Sequence, residues 1–253
     1  EEYKYPLEYE KPSQEINALL NKNMISDPIE SVKSVKNGVI SGQARKWKIK
    51  SGEVLLDEIL HLETAAPIKN FPHSVDGISF HESFVKKTKL GYDQAFNINQ
   101  IEELGQNNRA ILWDSTEKLP VCEVLNSRPD QISYTSFETQ EKGGWTYSGN
   151  SVSSIDSRTG GRYYDLGTGS ISKSGIEASS SEKYLLTFWV KRANGSANWE
   201  FMGQTEELDN KWKLIQRIVT ENKLSIEGNG LHLDELRLHP IGAGMTTYTY
   251  DPL

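Results

Sequence analysis

Cys122 is the only cysteine, so no internal disulfide can staple this chain. No stretch approaches the ~20 consecutive apolar residues that a spanning helix needs. No signal peptide is visible at Glu1. Basic residues are in short supply: 28 Lys and Arg stand against 35 Asp and Glu, for a net charge of -7. That balance argues against a nucleic-acid phosphate footprint, which needs clustered cations. Catalytic motifs are scarce as well. The histidines (His61, His73, His81, His232 and His239) form no His-x-x-x-His or His-Glu-x-x-His pattern. No Gly-x-Ser-x-Gly elbow occurs. Gly167-Thr168-Gly169-Ser170 lacks the lysine of a phosphate loop and reads as a polar turn. Acids are so numerous that a pair in sequence is no argument for glycoside hydrolysis, which needs two carboxylates facing a cleft.

Helical periodicity is confined to one short segment. The Ser13 hydroxyl can cap a helix in which Ile16, Leu19, Leu20 and Met24 share a face. The rest reads as strands and turns. Asn37-Gly38 is a strong hairpin signal, because both central residues of such a turn need positive φ. With the Ser51-Gly52 turn it makes residues 28–63 a three-stranded meander. Pro67 and Pro72 mark a loop, and strands are expected at 80–93, 97–104, 109–113 and 121–125. Residues 1–127 thus form consecutive hairpins with few strong apolar faces, a region expected to lean on neighbouring structure. Turn formers at Asn126-Ser127-Arg128-Pro129-Asp130 mark a linker.

Residues 128–240 read as one β-sandwich. Its first strand is expected at 132–138 and its last at 231–238. In the last strand Leu231 and Leu233 share one parity, and Leu236 and Leu238 the other. A slip at Asp234-Glu235 predicts a bulge, since side chains in a strand alternate with a period of two. Tyr184, Leu186, Phe188 and Val190 make one face of an inner strand; Leu185, Thr187, Trp189 and Lys191 make the other. After Pro240, residues 241–253 are expected as a return strand. The expected fold is all-β, and the strand-like ends suggest a piece of a longer protein.

Ser136-Phe137-Glu138, Gly143-Gly144-Trp145, Tyr184 to Val190 and Leu233-Asp234-Glu235-Leu236 together resemble a jelly roll of the carbohydrate-binding-module type. Thr247-Tyr248-Thr249-Tyr250-Asp251-Pro252-Leu253 is similar to the start of an RHS (YD) repeat. Gly91-Tyr92-Asp93-Gln94-Ala95-Phe96-Asn97 resembles its Tyr-Asp-x-x-Gly-Asn core, with Phe96 where the family has Gly. The resemblance implies an RHS-like hairpin shell over 1–127, a jelly roll over 128–240 and a return into repeats over 241–253. It places the chain in a bacterial cell-surface or secreted protein.

Spacing alone reads Glu138 and Asp234 as two solvated strand-edge charges, whereas the same resemblance implies that they hold a structural calcium ion; Glu235 and Asp165 are secondary candidates. Hard cations take several oxygen ligands of this kind. It also implies a glycan as partner, beside the remaining repeats. Sugars pack on flat rings, and Trp189 and Trp199 are the candidate ligand-binding residues. Thr187 and Lys191 share the face of Trp189; Asn198 and Glu200 neighbour Trp199 and could bond sugar hydroxyls. Trp145 and Trp212 match positions that are core in such modules. The expected function is non-catalytic binding and scaffolding. The alternatives are a structural spacer or lid that binds nothing and, third, a glycan hydrolase.

Overall fold

The computed structural model describes residues 1–36, 38–106, 108–114 and 118–250. Of the described residues 48% are strand and 7% helix, in several antiparallel sheets, which makes the fold all-β. Among the described residues no helix is long and apolar enough to cross a membrane. The chain divides into two compact units, Glu1–Gln106 and Asn107–Leu253. Residues 107–127, grouped above with the hairpin region, therefore lie in the second unit.

Among its described residues the first unit has six strands: β1 (Glu2–Lys4), β2 (Glu30–Val35), β3 (Gly38–Lys50), β4 (Glu53–Leu62), β5 (Phe84–Tyr92) and β6 (Ile98–Glu103). They pair antiparallel in sequence order. Asn37 lies outside the described residues, but the hairpin expected around it forms, with Val35 opposite Gly38. Helix α1 (Gln14–Asn21) begins where the Ser13 hydroxyl accepts the Ile16 N–H at 3.3 Å. Its buried face, Ile16 and Leu19, packs with Tyr9, Ile29 and Val54. Met24 falls beyond the last helical turn and is exposed. Between β5 and β6 the Asp93 carboxylate accepts the N–H groups of Ala95 and Asn97, both at 2.9 Å. Phe96, in the position that glycine holds in the repeat motif, sits at φ +69°.

The second unit opens with the hairpin β7 (Arg109–Trp113) and β8 (Pro120–Leu125). Strands β9 (Ser133–Thr135), β10 (Ser151–Ser153), β11 (Arg162–Asp165), β12 (Ile171–Ser174) and β13 (Tyr184–Arg192) follow. Then come β14 (Ala197–Phe201), β15 (Gln204–Leu208), β16 (Lys213–Val219), β17 (Lys223–Ile226), β18 (Leu231–Pro240) and β19 (Gly244–Thr247). Strand β18 is the axis of the main sheet, whose order is β10-β11-β18-β13-β16. Along one edge it pairs with β13. Along its other edge β11 takes the first half, with Tyr164 opposite Leu233, and β9 the second, with Thr135 opposite Leu236.

The expected bulge lies between those halves. Trp189 faces Asp234 and Thr187 faces Arg237, so Glu235 and Leu236 together oppose Phe188 alone. Glu235 takes the extra turn at φ +54°. This restores the phase, so that Leu231, Leu233, Leu236 and Leu238 all enter one core. The pairs β12–β17 and β14–β15 send Ile171, Ile226, Phe201 and Leu208 into that same core. After β18 the chain returns as β19 and pairs with β8. Asp251, Pro252 and Leu253 of the terminal repeat-like motif lie outside the described residues.

The first sandwich strand is shorter than the expected 132–138. Phe137 sits at φ +62° and donates its N–H to the Thr135 hydroxyl at 3.1 Å, which ends the strand. Its ring stacks on Tyr164 at 5.4 Å. Six residues on, Gly143 is at φ +53°, and a Cβ there would lie 1.5 Å from the Tyr134 carbonyl oxygen. Only glycine lets the backbone pass so close.

Candidate functional site

The two candidate metal acids converge on the loop of residues 154–161 between β10 and β11 and on the first residue of β11. Asp234 is fully buried. Its carboxylate accepts the N–H groups of Arg158 at 2.8 Å, Thr159 at 3.2 Å and Glu235 at 2.8 Å. Glu138 accepts those of Gly161 at 3.1 Å and Arg162 at 2.8 Å. Glu235, turned inward by the bulge, accepts the hydroxyls of Thr159 at 2.8 Å and Tyr134 at 3.0 Å and an Arg237 N–H at 2.5 Å. Asp165 is engaged elsewhere, capping a short turn through the Gly167 N–H.

Burial pushes the Asp234 carboxyl up to about 7. The N–H groups of Thr159 and Arg158 pull it down, and the Glu235 carboxylate adds to the rise. N–H groups present their positive ends to these oxygens, where a cation would need further oxygen donors. Among the described residues no three His, Cys, Asp or Glu side chains converge as metal ligands. As folded, this donor set does not fit calcium; it clamps the loop by hydrogen bonds instead.

The same loop claims the first candidate tryptophan. The Arg158 guanidinium lies 4.2 Å from the Trp189 ring centroid, over its face. Beside it, the Trp212 indole N–H donates to the Asp156 carbonyl at 2.9 Å. The Lys191 ammonium, only 3% exposed, is ion-paired to the Asp156 carboxylate and sits 4.7 Å from the Trp212 centroid. Tyr163 stacks on His232 at 4.3 Å on the same face of the sheet. Half-buried His232 has its pKa lowered, chiefly by burial. Each of these groups is occupied with another, so the face is a packed layer under the loop.

Trp199 corrects the sequence expectation. It is 9% exposed, stacks on Phe201 at 4.9 Å with an interplanar angle of 8°, and donates its N–H to the Glu227 carbonyl at 3.0 Å. The ring belongs to the sandwich core. Asn198 and Glu200 point to the opposite side of the strand, because neighbours in a strand alternate across the pleat. Trp145 is core, as expected. Trp212 is half-buried on the outer face.

A cleft that the sequence does not signal lies beside the edge strand β10. It encloses about 450 Å³ between Gln140, Lys142, Tyr147, Asn150, Ser151 and Arg162. Strand pairing builds it: Ser151 and Ser153 of β10 pair with Tyr164 and Arg162 of β11. The Arg162 side chain donates from Nε to the Ser151 hydroxyl at 2.7 Å and from Nη2 to the Ser151 carbonyl at 2.9 Å. Tyr147 packs edge-on against Phe137 and Tyr164 at 5.8 and 5.1 Å, so its ring is anchored to the core. The Lys142 ammonium sits 5.0 Å from the Tyr147 centroid and donates to the Tyr147 carbonyl at 2.7 Å. No local motif signals such a site. Lys142 beside Gly143-Gly144 and Arg162 beside Gly160-Gly161 are the nearest thing to one, and single cations next to glycines are too common to read.

The chain matches no family model, no curated protein and no solved structure.

Proposed function

We propose that this chain is a non-catalytic binding and scaffold segment of a bacterial cell-surface or secreted protein of the RHS-repeat kind, whose jelly-roll second unit binds carbohydrate weakly. The cleft beside Tyr147 carries this reading. Its size is in the range of small-ligand sites, at about 450 Å³, and its wall is made largely of hydroxyl, amide and cationic groups. Such a wall suits a sugar, whose hydroxyls need partners on every side. The strands of the first unit, paired in sequence order, and the repeat-like turn at Asp93 support the scaffold part of the proposal.

A glycan array probed with the full chain tests it. Binding should be in the millimolar to micromolar range, about -4 to -8 kcal/mol. Asn150→Ala, at an exposed position on the cleft wall, should weaken it without changing the melting temperature. An array blank in every class would favour a second reading, a spacer that binds nothing. One observation already favours that rival: of the rings best placed in sequence to meet a sugar, Trp199 is packed in the core and Trp189 lies under Arg158.

A further inference from the structure

We infer that the cleft beside Tyr147 selects an acidic sugar, one whose ring carries a carboxylate. This rests on the reading of the cleft as a sugar site and adds its charge preference. Two cations line the cleft, and among the described residues both bond only to neutral acceptors. Lys142 donates to the Tyr147 carbonyl, and Arg162 donates to the hydroxyl and carbonyl of Ser151. The nearest acids in sequence bond backbone N–H groups rather than these two side chains. Glu141 accepts the backbone N–H groups of Lys142 at 3.1 Å and Gly143 at 3.3 Å. Glu138 is bound to the backbone of Gly161 and Arg162 in the clamp.

The charge pattern is unusual for this protein. Overall the chain is acidic, at -7, yet here an ammonium and a guanidinium share one small polar cavity. Arg162 is half-buried and held by its two bonds to Ser151, so its remaining N–H groups have a fixed direction. A planar guanidinium in a fixed position matches a carboxylate. Lys142 is exposed and adds a point charge above the Tyr147 ring. A neutral sugar would leave both side chains without a direct ion pair. A uronate would supply one, and its hydroxyls would meet Asn150, Gln140 and Ser151.

The test is an amide-shift NMR titration of the full chain with four probes: oligosaccharides of galacturonate, glucuronate and mannuronate, and fully methyl-esterified oligogalacturonate. The ester keeps the sugar scaffold and removes the charge. At least one uronate should bind, shifting the amides of residues 139–151 and 162, and the ester should bind at least tenfold more weakly. Raising the salt from 50 to 500 mM should weaken the uronate alone, since screening acts on the charge pair. Lys142→Gln should weaken it about tenfold, in line with one charge-assisted hydrogen bond. Arg162→Lys should weaken it more than Lys142→Gln does. Lys142 is exposed, so its variant should keep the wild-type melting temperature and serves even where Arg162→Lys does not fold.

If ester and uronate bind alike and Lys142→Gln changes nothing, the acidic preference is wrong while the sugar site stands. If no uronate binds but a neutral glycan on the array shifts the same amides, the preference is again overturned and the site survives. If no probe and no glycan shifts these residues, the preference and the site fall together.

Discussion

Replacing Asp234 by asparagine keeps the shape of the buried side chain and removes its titration. Asp234 has its ordinary carboxyl value of 3.8 in the unfolded chain, and burial raises it to about 7 in the fold. Between those values the unfolded chain has released the proton that the folded chain still holds. Folding therefore loses stability as pH rises through this window: the contribution is complete below about 3.8 and gone above about 7. At about 1.4 kcal/mol for each pH unit, the loss from this one group is about 4 kcal/mol. The amide that replaces the carboxyl resembles the protonated acid and carries no such dependence. Urea unfolding of wild type and Asp234→Asn at pH 4, 5.5 and 7.5 isolates the effect, because every other titrating group is common to both. The difference should move in favour of the variant by several kcal/mol from the lowest pH to the highest. A difference that stays constant would refute the argument. Movement in the opposite direction would mean that the three N–H groups of Arg158, Thr159 and Glu235 outweigh burial and hold the carboxylate charged.

Calcium added after thorough chelation should leave the melting temperature unchanged, because N–H groups already satisfy Glu138 and Asp234. A rise that Asp234→Ala abolishes would restore the metal reading through mass action on the folded state. Gly143→Ala should cost the sandwich its cooperative near-UV melt, since its Cβ would meet the Tyr134 carbonyl at 1.5 Å; a normal melt would show that the turn can shift. Phe96→Gly should be neutral to stabilising by about 1 kcal/mol, the left-handed strain relieved less the added chain entropy. Phe96→Val, a β-branched residue at φ +69°, should destabilise, and equal melts for the two variants would exclude strain as the reason. Trp199→Ala should cost about 3–5 kcal/mol as a core deletion and leave wild-type affinity per folded molecule in any glycan assay, whereas lost affinity in a stable variant would return the ring to the binding site.

What could be read from sequence was whatever a local pattern encodes. The bulge at Asp234-Glu235 was legible because four leucines of changing parity must all reach one core, and only an extra residue allows that. The helix was legible from Ser13 and the spacing of Ile16 and Leu19, and the hairpins of the first unit from their turn residues. The first and last sandwich strands lie side by side, which brings Glu138 and Asp234 to one loop. Their donors were not legible, because which way a backbone N–H points depends on the conformation of residues 158–162.

Trp199 was misplaced for a reason present in its own strand. Trp199 and Phe201 share a parity, and two large aromatics two residues apart on one face are a core signal. The polar neighbours Asn198 and Glu200 have the other parity and cannot flank the ring. Trp189 did sit on the outer face, as Thr187 and Lys191 suggested, but what covers it is Arg158, 31 positions earlier in the chain. Covering of that kind has no period and no motif. The cleft has the same character. Lys142, Tyr147, Ser151 and Arg162 meet because β10 pairs with β11 and because Gly143 lets the chain pass against Tyr134. A cleft wall assembled from separate segments owes its chemistry to the sheet that gathers them, and its residues are among the least marked in the linear chain.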